Sequence, residues 1–272
     1  MMAALALGAC NEIDEADRLL DYTPPTGERN VLLEEFTGQD CPNCPEGARE
    51  AHRLQETYFG LVVVGIHAGV FAGRSAFVTD AGNEYWEHFY SDGNQRGYPA
   101  AMINRDGNVS TGYQQQWASW VASAVQLPTY YELSLATVYD EATRSLTVAS
   151  LLGKSTIQTD ESVKLLLLLT ENGIVSFQNS NGQLIENYVH DHVLRGAIGD
   201  QDAEPNYWGV DVEIGYPDAT EVVSQPYVLP EEWVAENMNV VGILYDAATY
   251  EVLQVEEVPL VAASSAEDGE TE

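Results

Sequence analysis

The segment that most constrains this chain is Cys41-Pro42-Asn43-Cys44, set between an apolar run, Val31 to Phe36, and a run with helical spacing, Pro45 to Phe59. A strand that feeds a helix through two cysteines puts both thiols at the helix N-terminus. There the unpaired amides and the helix dipole favour a thiolate, and the C-x-x-C spacing lets the second thiol resolve a mixed disulfide formed by the first. Pro45 suits the first helical turn, where an amide hydrogen has no helical partner. The helix is predicted to carry Ala48, Ala51, Leu54 and Tyr58 along one stripe. A structural zinc needs two further ligands, usually from a second paired motif, and the one other cysteine, Cys10, stands alone. Two readings of the pair stay open: a redox-active dithiol, or an inert disulfide of an oxidising compartment.

Leu61 to His67, LVVVGIH, reads as a second buried strand. The looser stretch that follows holds one helix, Asp80 to Tyr90. Ala100 to Asn104 reads as a short strand, Asp106-Gly107 as a hairpin turn and Val109 as the start of the return strand. Gln114 to Val125 is an amphipathic helix with Trp117, Trp120 and Val121 inward. Beyond LPTYY the texture changes to about seven alternating runs without helices, from YELSLATVYD to YEVLQVEEV, one of them Gln183 to Leu194. That pattern predicts an all-β, immunoglobulin-like antiparallel sandwich.

The first half is similar to thioredoxins. In that fold an acidic residue commonly lies beneath the cysteines and moves their protons, which implies that role for Glu35, six residues before Cys41. A cis proline opposite the dithiol is its other hallmark, which Pro99 would supply, with Tyr98 offering its backbone to an extended substrate strand. Two departures bear on the redox properties. Asp40 replaces the usual aromatic residue before the first cysteine, and its charge should raise the thiolate pKa. The interior of the motif is Pro-Asn in place of Gly-Pro.

Residues EEFTGQDCPNCPEG, VVGIHAG and GYPAAMINR further resemble the thioredoxin-like part of the 28-kDa outer-membrane-protein family of Bacteroidetes-type lipoproteins. YVHDHVLRG and VVGILYDAATYEVLQV resemble that family's β-rich part. The resemblance implies a lipid-anchored envelope protein, on the periplasmic or surface side of the outer membrane, with Cys41 and Cys44 as its redox site. The expected organisation is a truncated lipoprotein signal segment over 1–10, an acidic tether over 11–29 and an α/β thioredoxin-like domain over 30–126 with an insertion at about 68–97. A β-sandwich domain over 127–262 and a disordered acidic tail over 263–272 complete it.

Cys10 closes Leu7-Gly8-Ala9-Cys10, which resembles a bacterial lipobox, so it is the expected lipidation site. The basic flank usual before such a run is missing, so the recorded start reads as internal. Acyl chains there would anchor the protein to the membrane. The chain carries 43 acidic and 11 basic residues, net −32. Such a surface repels nucleic acid and anionic lipid, and fits either a well-solvated face or adaptation to high salt.

His190 and His192, in VHDHV, would share one face of a strand and could touch one metal, with His67 or His88 as further ligands. Packed histidines at a domain junction are the plainer account, and no metal is assigned. No Gly-rich phosphate loop, serine elbow or HExxH helix is present, so no cofactor is implied. The Asn108 tripeptide NVS fits a glycosylation pattern by chance. Two functions follow. One is a thiol–disulfide oxidoreductase acting on extended polypeptides or another thiol–disulfide protein. The other is a non-catalytic binding or scaffold lipoprotein with a structural disulfide.

Overall fold

The computed structural model describes residues 28–73, 75–89, 97–107, 110–111, 114–155 and 162–261. Cys10, most of the tether, Asn108, parts of the 68–97 insertion and the acidic tail lie outside the described residues.

Strand β1 (Val31–Thr37) leads through the two cysteines into α1 (Cys44–Thr57), which returns to β2 (Leu61–His67), parallel to β1. Helix α2 (Asp80–Phe89) lies in the crossover to β3 (Ala100–Ile103), which runs antiparallel to β1 and pairs with β4 (Ser110–Thr111). Helix α3 (Gln114–Ala124) closes this half and buries Trp117 and Val121, while Trp120 is only half-buried. The order β2-β1-β3-β4 is a thioredoxin-like pattern.

Eleven further strands follow among the described residues: β5 (Tyr131–Asp140), β6 (Ser145–Lys154), β7 (Val163–Glu171), β8 (Ile174–Ser180), β9 (Gln183–His190), β10 (Val193–Ala197), β11 (Val210–Val212), β12 (Thr220–Val223), β13 (Tyr227–Val228), β14 (Met238–Asp246) and β15 (Val252–Pro259). Of these, β10 joins β2 in parallel, and β7, β14 and β15 follow it, with β11 on β7. One nine-stranded mixed sheet results, in the order β15-β14-β7-β10-β2-β1-β3-β4. β5, β6, β12 and β13 make a separate four-stranded antiparallel sheet, and β8 with β9 a two-stranded hairpin. Alternation in the sequence led to the expectation of a self-contained immunoglobulin-like sandwich. The pairing shows a mixed sheet plus an antiparallel sheet and no self-contained sandwich among the described residues, because β7, β10, β14 and β15 extend the sheet of the α/β half.

The five leucines Leu165 to Leu169 show why. Leu165, Leu167 and Leu169 pack with Leu133, Leu146 and Val148 of the four-stranded sheet. Leu166 and Leu168 point the other way and share a core with Val62, Val64, Tyr85 and Trp86. A strand covered on both faces reads as an unbroken apolar run, because neither side meets water.

The register Glu35↔Gly65, Gly65↔Val193, Val193↔Glu171 carries one face of the long sheet across both halves. α1 and α3 cover that face at one end, over Leu33, Val63 and Ile103, and the four-stranded sheet covers it at the other. α2 covers the opposite face.

Candidate functional site

Cys41 and Cys44 form a disulfide, with Cα atoms 5.5 Å apart, at the turn from β1 into α1. Both residues are 1% exposed. The preceding loop is held by Asp40, whose amide donates to Phe71 O at 3.0 Å. Gly38 permits this approach, since a Cβ there would stand 2.5 Å from the Phe71 backbone.

Two consecutive glutamates lie on β1, and the strand's alternation sends them to opposite faces. Glu34 faces α2. There Arg105 donates from Nε to Oε2 at 2.9 Å and from Nη2 to Oε1 at 2.7 Å, and both side chains are fully buried. The guanidinium also lies 5.2 Å from the Phe89 ring centroid and 5.5 Å from those of Tyr85 and Tyr245. Glu35 faces α1 with no such cation. Its Oε1 is buried without a hydrogen-bond partner among the described residues, and burial pushes its carboxyl up to about 8. Gly47 brings the first turns of α1 down onto it. A Cβ on Gly47 would meet Glu35 Oε1 at 2.5 Å and Pro99 Cβ at 2.7 Å. Glu35, Pro99 and the cysteine-bearing helix therefore meet at one point.

The Tyr98–Pro99 peptide is cis. The Tyr98 hydroxyl donates to Ala68 O at 2.6 Å, and its ring stacks on Trp86 with centroids 5.0 Å apart, so this side chain is part of the packing.

The outer side of the cysteine loop is covered by the β8–β9 hairpin, which the sequence reading missed. The Asn179 amide donates to Gln39 O at 2.8 Å and the Asn181 amide to Pro42 O at 2.9 Å. Gln178, itself buried, donates from Nε2 to Gly38 O at 3.2 Å and to Cys41 O at 3.0 Å. Gln39 answers by donating to Phe177 O at 2.7 Å. The hairpin thus runs along residues 38–42, where an incoming strand would meet the disulfide. Amide-rich Gln178-Asn179 following an apolar stretch was the one signal available for it.

His190 and His192 are not on one strand. His190 ends β9, while His192 has φ 57 and turns the chain into β10. A residue in that left-handed conformation breaks the alternation on which the shared-face expectation rested. The His190 ring packs against Phe77, Tyr188 and His67, with centroids 4.9, 4.8 and 5.7 Å away. Burial, aided by the neighbouring His190 and Arg195, lowers the His67 imidazole to about 3, and burial lowers His190 to about 4, so both are neutral. His88 stands across the sheet on α2, against Trp208 and Tyr250. Among the described residues no group of three or more His, Cys, Asp or Glu side chains is placed to hold a metal.

Chemically, the arrangement offers a disulfide that can be opened to two thiols and a buried carboxyl that exchanges a proton near neutral pH. Residues 87–263 match the family described as Outer membrane protein Omp28, which is more than half of the chain. Cys41, Cys44 and Glu35 lie before that match. The fold is similar to that of HBP35 of Porphyromonas gingivalis, at a TM-score of 0.71 with 16% identity over 92% of this chain and 80% of that one. A domain of the outer membrane lipoprotein Omp28 from the same organism aligns at a TM-score of 0.34 with 22% identity, over 48% of this chain and 88% of that one. No curated protein matches the sequence significantly.

Proposed function

The chain belongs to the Omp28 family of outer membrane proteins, and on that premise we propose that it is a lipid-anchored thiol–disulfide oxidoreductase of thioredoxin type. The observation that carries this reading is the Cys41–Cys44 disulfide, seated at a strand-to-helix turn whose helix packs through Gly47 on a buried carboxyl, Glu35, that has no hydrogen-bond partner for Oε1 among the described residues. In the reduced protein Cys41 attacks a substrate disulfide as thiolate, and Cys44 then attacks the Cys41 sulfur and releases the reduced substrate. Glu35, protonated at rest, gives its proton to the departing substrate sulfur and takes up the one that Cys44 loses. The substrate is an extended polypeptide or another thiol–disulfide protein, aligned along Tyr98–Pro99 after displacing the hairpin from residues 38–42. Cys10 carries the lipid, and the β-rich half, read as sandwich-like, holds the dithiol away from the membrane.

A second reading, a scaffold lipoprotein with a structural disulfide, is favoured by the burial of both sulfurs under the hairpin. The two separate on trapping. Reduced Cys44→Ser protein, mixed with a disulfide-bonded polypeptide such as insulin, should accumulate a mixed disulfide at Cys41 that dithiothreitol releases, whereas Cys41→Ser should not. Absence of any adduct from Cys44→Ser supports the scaffold.

A further inference from the structure

Beneath α1 lies a cavity of about 480 Å³, lined by Cys44, Ala48 and Val189 around Glu35, His67 and His192. Three of its buried polar atoms are unanswered. Glu35 Oε1, His67 Nδ1 and His192 Nδ1 are all buried with no hydrogen-bond partner among the described residues. Buried polar atoms are nearly always satisfied, and a volume of this size is typical of small-molecule sites. The cavity is also close to neutral. Burial keeps Glu35 largely protonated at neutral pH and His67 and His190 uncharged. Arg49, His52 and Arg53 at its α1 wall are each paired, with Glu46, Glu56 and Glu50. Cys44 lines this space and Cys41 does not. The Cys41 carbonyl is held by Gln178 of the hairpin, whose side chain also lines the cavity.

We propose that this cavity is a binding site for a low-molecular-weight, uncharged thiol, and that the thiol attacks Cys44 from beneath the helix to reduce the resting disulfide. The proposal rests on the oxidoreductase reading and supplies its reducing half-reaction. The first thiolate bonds to the Cys44 sulfur, the Cys41–Cys44 bond breaks, and its electron pair leaves on Cys41, which takes the thiol's proton by way of Glu35. A second thiolate attacks the small-molecule sulfur of the mixed disulfide and releases Cys44, which takes the second proton. Two protein thiols and one small-molecule disulfide result. Polypeptide and small thiol thus use different sulfurs of the same pair.

The test measures both the rate and the end point of reduction by 2-mercaptoethanol in a buffer with its own disulfide. Two variants narrow the cavity: Ala48→Phe on α1, and Val189→Trp at an exposed position of the wall that the core does not depend on. Because exchange depends on access to the attacked sulfur, each should slow reduction roughly tenfold or more. The reduced fraction at equilibrium should stay that of the wild type, since filling the route does not change the end states. In the Cys41→Ser background the small disulfide should leave its half as a mass adduct on Cys44, and Ala48→Phe should suppress it. Unchanged rates in both variants overturn the proposal and leave the oxidoreductase reading standing. A shifted equilibrium in both variants overturns it too, because the substitutions then act on the disulfide itself. A wild-type disulfide that no thiol concentration opens removes the oxidoreductase reading along with the proposal.

Discussion

Replacing Arg105 by alanine should destabilise the protein by about 3–5 kcal/mol, as removal of one partner from a buried ion pair does. Glu34 would be left as a carboxylate with no solvent access, and the two hydrogen bonds from Arg105 would go with the cation. The ring contacts with Tyr85, Phe89 and Tyr245 would also be lost, opening a gap on the α2 face of the sheet. In a chain of this size such a loss lowers the melting temperature by roughly 10 °C. Urea denaturation provides the measurement. The double substitution Glu34→Leu/Arg105→Met should recover much of the loss, because the cost is that of an uncompensated charge more than of a missing attraction. A single variant within about 1 kcal/mol of wild type would show that water or a relaxed side chain reaches Glu34.

The second large effect belongs to the neighbouring glutamate and has a pH signature. Unfolded, Glu35 loses its proton near its ordinary value of 4.5; folded, burial holds the proton to about 8. Between those values the folded state binds more protons, so stability falls as pH rises. The contribution is fully present below 4.5, is lost progressively through the window and is gone above 8. Its full size is on the order of 4–5 kcal/mol. Glu257, pushed up to about 7 by burial, adds a shorter limb of the same sign. His67 and His190, lowered to about 3 and about 4, act oppositely and remove stability as pH falls below 6.5. Glu35→Gln has no proton to lose, so its stability relative to wild type should improve steadily from about pH 5 to about pH 8. Urea curves at several pH values decide it. Parallel pH profiles for the two proteins would mean that Glu35 is ionised in the folded state.

These two adjacent residues mark how far the sequence could be read. Glu35 was singled out from its distance to Cys41, because thioredoxins commonly carry an acidic residue there, and the structure buries it against α1. Glu34 left no comparable trace. Its partner lies 71 residues away in the chain, and nothing local says that a strand glutamate has a buried arginine. The leucine run Leu165 to Leu169 carried its own message of double burial, yet the alternating strands around it pointed to a separate sandwich, so the shared sheet was not foreseen. β8 escaped notice because its half-buried pattern has neither a clear alternation nor an apolar run. With it went Gln178 and the cover over the cysteines, the features that bear most on how the dithiol is reached. The histidines failed for a backbone reason, the left-handed turn at His192.

The most direct test of the account is the reduction potential of the Cys41–Cys44 disulfide, by equilibration against glutathione or dithiothreitol. Catalytic pairs lie at roughly −120 to −270 mV, whereas structural disulfides lie below about −300 mV. A value inside the first range is expected, with both cysteines free in the reduced form and the fold retained. A value below about −300 mV would contradict the account and make the pair a clamp on the turn into α1.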